Sequence, residues 1–148
     1  MDARYILLVE DNADEETLAL RALARAGSRI QVVVARDGAE ALDIALGRGA
    51  HVGADLPDFV LLDLKLPKVS GIEVLRQLRA EARTAVLPIV VLTSSSEERD
   101  VLDSYEAGAN SYVRKPVDFD QYTRTLAEVG HFWTEINQSP TRQIRPGG

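Results

Sequence analysis

Five polar residues of types that handle metal ions and phosphoryl groups stand just after short apolar runs of the sequence. Glu10 and Asp11 follow the first run, Asp63 follows the third, Thr93 follows the fourth, and Lys115 comes soon after the fifth. Carboxylates brought together repel one another by about 4 kcal/mol per pair at roughly 4 Å and an effective dielectric of about 20, so this set needs a cation. All-oxygen ligands favour hard divalent ions, which predicts a site for Mg²⁺, or for Mn²⁺ in its place.

Asp63 is the candidate nucleophile of this set. It follows the run Asp58-Phe-Val-Leu-Leu, and a carboxylate can attack phosphorus to form an acyl phosphate. A transferring phosphoryl group requires positive charge and donors around its oxygens, which the metal, Thr93 and Lys115 would supply. The residues therefore predict Mg²⁺-dependent phosphoryl transfer to Asp63.

The elements that must position these residues are strands and helices in alternation. Stretches with helical spacing separate the apolar runs, and Ser95 with Glu98 predicts a capping box at the start of one helix. Nearly unbroken apolar runs are typical of strands covered on both faces, so a doubly wound α/β sheet is expected, with its ligands at the carboxyl ends of the strands. The runs are Tyr5 to Val9, Ile30 to Ala35, Phe59 to Leu62, Ile89 to Leu92 and Ser111 to Val113.

The last element is predicted to be one long amphipathic helix from about Asp118 to Asn137. About 20 helical residues span roughly 30 Å, whereas a five-residue strand spans about 17 Å. The apolar stripe of this helix consists of Phe119, Tyr122, Leu126, Val129, Trp133 and Ile136.

The end of that helix should overhang the sheet. Phe132, Trp133 and Ile136 would then form an exposed apolar patch, and such patches mark interaction sites. A homodimer is expected through the face that carries the fifth strand and this helix. The alternative is that the helix bends at Gly130 and folds Trp133 back onto its own chain.

Composition narrows the class of protein. The chain has 148 residues, 17 basic and 23 acidic, with no Cys and two His. Its length suits one domain, predicted over residues 1–137, and its net charge of −6 disfavours nucleic-acid binding. With no apolar run long enough for a membrane span or signal peptide, a soluble cytoplasmic protein is expected. Residues 138–148 are polar and Pro-rich, which predicts a disordered tail.

Four separated motifs resemble the signature set of the bacterial response regulator receiver domain. The resemblance spans about Tyr5 to Val129 and implies a flavodoxin-like, CheY-like fold with strand order 2-1-3-4-5. The motifs are Val9-Glu10-Asp11-Asn12, Leu61-Leu62-Asp63-Leu64 with Leu66-Pro67 and Gly71, Leu92-Thr93-Ser94, and Gly108-Ala109 through Tyr112 to Lys115-Pro116.

This resemblance implies roles for individual residues. Asp63 would be the phosphoacceptor and would bind the metal together with Glu10, Asp11 and the backbone carbonyl of Lys65. The segment Asp63-Leu-Lys-Leu-Pro-Lys resembles regulators paired with phytochromes, which more often have a small polar side chain at position 65. The Lys65 ammonium could therefore alter dephosphorylation.

The remaining roles concern the switch and the phosphate. Thr93 would be the switch hydroxyl, Tyr112 its aromatic rotamer partner, and Lys115 the cation that neutralises the phosphoryl group. The Lys115–Pro116 bond would be cis, which is uncommon for X-Pro bonds in general. Tyr112 could instead serve only as packing in the fifth strand.

The implied function is that of a single-domain response regulator in a two-component phosphorelay. It would receive its phosphoryl group from a sensor histidine kinase and act through protein contacts. Apart from its own phosphorylation and dephosphorylation it would not be an enzyme. Three segments resemble regulators paired with phytochromes, which implies a bacteriophytochrome as the kinase. They are Asp63-Leu-Lys-Leu-Pro-Lys, Pro116-Val-Asp-Phe-Asp-Gln and the patch His131-Phe132-Trp133.

Three other classes of protein are compatible with parts of the pattern. A haloacid-dehalogenase-like phosphatase would need an acid two residues after its nucleophile, where this chain has Lys65. A flavodoxin-type flavin carrier would need a neutral phosphate loop after the first strand, where this chain has Glu10 and Asp11. A receiver-like binding module without phosphorylation would not need every chemical position to be filled.

Overall fold

The computed structural model describes residues 4–27, 30–95 and 97–140. Five parallel strands form one sheet in the order β2-β1-β3-β4-β5, which confirms the predicted α/β fold. The strands are β1 (Tyr5–Val9), β2 (Gln31–Ala35), β3 (Phe59–Leu62), β4 (Ile89–Thr93) and β5 (Ser111–Arg114).

Helices connect the strands and cover both faces of the sheet. They are α1 (Ala13–Ala24), α2 (Gly38–Leu46), α3 (Gly71–Ala80), α4 (Glu98–Ala107) and α5 (Phe119–His131), with 3₁₀ turns at Gly49–His51 and Ala82–Thr84. None of the helices in the described part of the chain is long and apolar enough to cross a membrane.

Alternation along β1 divides the core into two layers. Leu7 points into the layer that contains Leu42 of α2 and Leu75 of α3, whereas Leu8 points into the layer that contains Leu23 of α1 and Leu126 of α5. Successive strand side chains point to opposite faces, so a sheet covered on both sides needs apolar residues at every position. This explains the unbroken apolar runs.

Side-chain caps fix the starts of several helices, but the predicted capping box is wrong. Asn12 accepts the Glu15 N–H at the start of α1, whereas α4 begins after Glu97 without a side-chain cap. Ser95 instead donates its hydroxyl to Asp100 at 2.5 Å. Its oxygen also accepts the N–H of Glu97 at 3.3 Å, because Ser95 lies two residues before the N-cap position and so does not meet the N–H of Glu98.

The C-terminal helix ends earlier than its apolar stripe predicts. After His131 the chain continues in a π-helical turn, Phe132–Ile136. The ring of Trp133 packs on Phe59 with their centroids 6.3 Å apart, so the expectation that Trp133 overhangs the sheet is wrong. Covering Phe59 removes a large apolar ring from water. Phe132 and Ile136 do stay exposed, at 43% and 58%.

Packed structure also continues beyond Asn137, where the tail was predicted to begin. Ser139 is buried, and its hydroxyl donates to the backbone carbonyl of Asp58 at 3.2 Å. This contact joins residue 139 to the segment that precedes β3. Residues 141–148 of the predicted tail lie outside the described residues.

Candidate functional site

Three carboxylates meet at the carboxyl end of the sheet, as the sequence predicted. Val9 of β1 is paired in register with Leu62 of β3, so the residues that follow these strands are neighbours. Carboxylate oxygens of Glu10, Asp11 and Asp63 all lie within 4.8 Å of one another. Glu10 and Asp63 are buried, whereas Asp11 is exposed.

This donor set fits a small divalent cation. Carboxylate oxygens are hard ligands, and Mg²⁺ and Mn²⁺ bind a few of them together with water, for which the exposed Asp11 leaves access. Lys65 directs its backbone N–H to Asp63 Oδ1 at 3.2 Å. The predicted metal-ligand role of the Lys65 carbonyl stays a prediction, and the ammonium of Lys65 is exposed.

A glycine permits the tight loop that follows Asp63. A Cβ atom on Gly71 would lie 2.3 Å from the backbone carbonyl oxygen of Asp63, closer than any real contact. The Gly71 N–H also donates to the Leu64 carbonyl at 2.9 Å. The first turn of α3 therefore packs directly against the backbone of the candidate nucleophile.

Lys115 bridges the acidic cluster with its ammonium. Nζ lies 2.9 Å from Glu10 Oε1, 2.9 Å from Glu15 Oε1 and 3.1 Å from Asp63 Oδ2. Burial acts to lower the pKa of Lys115, but the hydrogen bonds with Glu10 and Glu15 and the charge of Asp63 outweigh it and raise that pKa. Burial raises the pKa of Glu10, and contact with Lys115 opposes that change.

The contact with Glu15 was not predicted from the sequence. In the sequence Glu15 is one of three consecutive acids that favour a helix start. Its N–H is fixed by the Asn12 cap, and its carboxylate contacts Lys115. The available signal for this contact was the position of Glu15 in the first turn of the helix that follows Glu10 and Asp11.

The predicted switch residues are joined through Ser95. Thr93 is buried, and its hydroxyl accepts the Ser95 N–H at 3.4 Å. The Tyr112 hydroxyl donates to the Ser95 carbonyl at 2.8 Å. Burial raises the pKa of Tyr112, with the nearby Asp100 and Glu97 acting in the same direction. In the described structure Thr93 makes no hydrogen bond to Asp63, although the two residues stand at the ends of the paired strands β4 and β3.

Tyr122 places a buried hydroxyl beside the site. Within the described residues this hydroxyl has no hydrogen-bond partner. Burial raises the pKa of Tyr122 to about 12, the charge of Lys115 opposes this, and the nearby carboxylates reinforce it. The sequence pattern placed Tyr122 correctly on the buried stripe of α5 but gave no sign of a polar role.

The connection from β5 to α5 differs from the prediction in one respect. No peptide bond of the described residues is cis, so the Lys115–Pro116 bond is trans and the expectation drawn from family resemblance is wrong. Trans is the intrinsically preferred form, and from it Lys115 already reaches its three carboxylates. A groove of about 440 Å³ opens here, lined by Arg114, Lys115, Pro116, Val117, Asp118 and Gln121.

The fold and the site together define a doubly wound α/β protein with an acidic, lysine-bridged cluster at the carboxyl end of its sheet. The chain belongs to the response regulator receiver domain family, whose model matches residues 6–127.

Similar proteins include both regulators and solved receiver structures. The probable methanogenesis regulatory protein FilR2 of Methanothrix harundinacea is 43% identical over 140 residues, which cover 94% of this chain and 89% of that protein. The phosphorylated cyanobacterial phytochrome response regulator RcpA superimposes with a TM-score of 0.89 at 34% identity, covering 94% of this chain and 99% of RcpA.

A third similar protein carries a metal. The Mn²⁺-bound form of response regulator Rcp1, a Synechocystis protein, superimposes with a TM-score of 0.86 at 32% identity. The match covers 92% of this chain and 98% of Rcp1. Divalent-metal binding by a similar receiver agrees with the donor set of Glu10, Asp11 and Asp63.

Proposed function

We propose that this protein is a phosphorylation-dependent signalling switch that accepts a phosphoryl group on Asp63. The observation that carries the proposal is the 3.1 Å contact between Asp63 and Lys115 within an acidic cluster. This contact places a fixed positive charge at the carboxylate where phosphate charge would arrive. The other acids of the cluster, Glu10 and Asp11, would hold Mg²⁺ or Mn²⁺ together with Asp63.

The proposed step is a displacement at phosphorus. An Asp63 oxygen attacks the phosphorus of a phosphohistidine whose second ring nitrogen carries a proton. The new P–O bond forms, the P–N bond breaks, and neutral imidazole leaves with the bonding pair. Bound Mg²⁺ would neutralise charge on the transferring oxygens. Lys115 exchanges its Asp63 contact for a phosphoryl oxygen and so stabilises the added charge.

The added charge would then rearrange the loop after β4. A phosphoryl group brings about −1.5 to −2 charges and three strong acceptor oxygens. Thr93 can release the Ser95 N–H and donate its hydroxyl to one of those oxygens. The Tyr112 hydroxyl is hydrogen-bonded to the carbonyl of the same Ser95. Movement of Ser95 would therefore be transmitted to Tyr112 on β5.

The proposed partner is a cytoplasmic sensor histidine kinase, with phytochromes as the first class to test. Similarity to the phytochrome response regulators RcpA and Rcp1 supports this choice. The exposed Asp11 leaves the acidic cluster accessible to a donor. Output would pass through protein contacts, since the net charge of −6 disfavours nucleic acid.

Intact-mass measurement after incubation with acetyl phosphate and Mg²⁺ tests the proposal. The wild-type protein should gain one phosphoryl group, and both Asp63→Asn and removal of the metal should abolish the gain. Asp103→Asn, which removes a more exposed carboxylate on α4, is the matched control and should be modified like the wild type. An adduct of undiminished yield on Asp63→Asn would overturn the assignment.

We also propose that the protein forms a homodimer through the C-terminal end of α5. Phe132 and Ile136 are exposed in the π-helical turn that follows it. A two-fold axis would let this apolar surface cover its own copy. The ring of Trp133 packs edge to face against the ring of Phe132, with their centroids 5.2 Å apart, and so helps to hold Phe132 in place.

Light scattering at tens of micromolar protein tests the dimer. The double variant Phe132→Ser, Ile136→Ser should be monomeric and the wild type dimeric. Val86→Ser removes a comparably exposed apolar side chain next to Leu87, which packs in the layer of α2 and α3 and not in that of α5, and should stay dimeric. A monomeric wild type, or a double variant that remains fully dimeric, would refute the dimer.

A further inference from the structure

Glu15 is the partner of Lys115 whose role the proposed phosphoryl transfer leaves unexplained. It belongs to the first turn of α1, where the Asn12 side chain holds its backbone N–H at 3.0 Å. Its carboxylate is 2.9 Å from the Lys115 ammonium, which is almost fully buried while the Glu15 side chain is 37% exposed. The contact thus connects a partly exposed carboxylate at the edge of the site with the buried Lys115 ammonium.

Three carboxylate oxygens lie within 3.1 Å of Lys115 Nζ, and an ammonium has three N–H groups to share among them. Asp63 changes chemically when it is phosphorylated, and Glu10 belongs to the acidic cluster that would bind the metal ion. Of the three partners, Glu15 alone is neither the proposed phosphoacceptor nor a member of that cluster. Its contact with Lys115 can therefore persist through the whole reaction.

We propose that Glu15 is a positioning residue that holds the Lys115 ammonium beside the phosphoryl site, an inference that rests on the proposed function. A lysine side chain is a flexible stem of four carbons, and its compact ammonium has no fixed hydrogen-bonding geometry. With Glu15 holding one N–H, the N–H released by Asp63 stays directed at the phosphoryl oxygens. Without Glu15 the ammonium shifts toward Glu10, and fewer molecules present it correctly.

A purely electrostatic role makes a different prediction. If only the negative charge of Glu15 mattered, removing it would make the site less repulsive to an anionic phosphodonor and would speed the reaction. A positioning role predicts slower reaction when the acceptor atom is removed. It also predicts near-normal reaction when the acceptor is kept without its charge.

The test compares three variants by the rate of phosphorylation with acetyl phosphate at saturating Mg²⁺. Glu15→Ala should lower the limiting rate by about three- to tenfold, the size expected for one hydrogen bond to a charged group near the surface, with little change in the half-saturating concentration. Glu15→Gln should retain most of the rate because its amide oxygen can still accept from Lys115. Glu16→Ala is the matched control, since that neighbouring carboxylate pairs with Arg36 at 3.0 Å instead.

The possible results separate the two proposals. If the wild type is phosphorylated and Glu15→Ala reacts as fast or faster, the positioning role of Glu15 is overturned while the proposed function stands. If Glu15→Gln is as slow as Glu15→Ala, the acceptor geometry is not what matters, and the positioning role fails as well. If the wild type itself gains no phosphoryl group, the proposed function fails.

Discussion

Strands β1 and β3 carry a buried acid and a cation at each end, and the two ends differ in how their charges balance. At the amino end, Arg4 precedes β1 and Asp58 precedes β3, with Arg4 Nε 3.2 Å from Asp58 Oδ2. At the carboxyl end, Glu10 follows β1 and Asp63 follows β3, and both contact Lys115. The same pair of neighbouring strands therefore positions both clusters.

At the amino end the Arg4 guanidinium pairs with the buried Asp58 carboxylate, and the second acid at Arg4, Glu135, is 44% exposed at 3.5 Å. This end is also tied to the rest of the fold. Asp58 has no exposed side-chain surface, and the Arg4 guanidinium that pairs with it also donates to the Thr134 carbonyl at 2.5 Å. Ser139 adds a hydrogen bond to the Asp58 carbonyl. A planar guanidinium suits such a role because its donors point in several fixed directions. This cluster fastens the C-terminal turn to the sheet.

Among the described residues, the carboxyl end has a surplus of negative charge. Glu10, Glu15 and Asp63 all contact the Lys115 ammonium, and Asp11 adds a fourth carboxylate beside Glu10 and Asp63. Such a surplus costs folding free energy, which the binding of a divalent cation would offset. The comparison teaches that buried charges serve stability where they balance and chemistry where they do not.

The largest effect is expected from breaking the balanced end. Arg4→Met should lower the free energy of unfolding by about 2–4 kcal/mol because it leaves the buried Asp58 without its guanidinium. Phosphorylation of Asp63 should be unaffected. Urea denaturation measures the change, with Arg36→Met as control, because the exposed Arg36 pairs with Glu16 at the surface and should cost less than about 1 kcal/mol. Equal losses in the two variants would contradict this difference.

A smaller effect of opposite sign is expected at the unbalanced end. Asp11→Asn removes one of the mutually repelling carboxylates, so the metal-free protein should melt at a higher temperature than the wild type. Mg²⁺ should then raise the melting temperature less than in the wild type, because a ligand stabilises only the form that binds it. Thermal melts with and without Mg²⁺ measure both changes. Equal Mg²⁺-induced shifts in the two proteins would show that Asp11 is not a ligand.

Most of the fold followed from local pattern. Apolar runs of strand length, separated by amphipathic stretches, were enough for the parallel sheet, because a strand buried on both faces must be apolar throughout. Strand ends then brought Glu10, Asp11 and Asp63 together as expected. The end of α5 did not follow, because the π-helical turn depends on the contact of Trp133 with Phe59, which lies far away in sequence.

The parts of the site that sequence did not predict are contacts between side chains from separate elements. Glu15 reads as a helix-start acid, and only the fold brings it to Lys115. Ser95 reads as a cap, whereas the structure uses its N–H and carbonyl to join Thr93 and Tyr112. Periodicity reports which face a residue occupies, but it carries no information about which partner a polar atom finds there.

The smallest effect at neutral pH is expected from Tyr122, whose buried hydroxyl lies next to the unbalanced cluster. Tyr122→Phe removes an oxygen that has no hydrogen-bond partner in the described structure, so the free energy of unfolding should stay the same or rise by up to about 1 kcal/mol. Chemical denaturation at pH 7 measures this. A loss of more than about 1 kcal/mol would mean that the hydroxyl has an important partner after all.

Alkaline pH sharpens the same test, because burial raises the pKa of Tyr122 to about 12 whereas an unfolded tyrosine titrates near pH 10. Below about pH 10 both states keep the proton, and stability does not depend on this group. Above it the unfolded state loses the proton first and is favoured, so the wild type should lose stability with rising pH. Tyr122→Phe lacks that contribution, while Tyr112 and the lysines titrate in both proteins and cancel in the difference. The free energy of unfolding of Tyr122→Phe, relative to that of the wild type, should therefore increase between pH 9 and pH 11. If this difference stays constant over that range, the Tyr122 hydroxyl ionises as readily in the folded protein as in water.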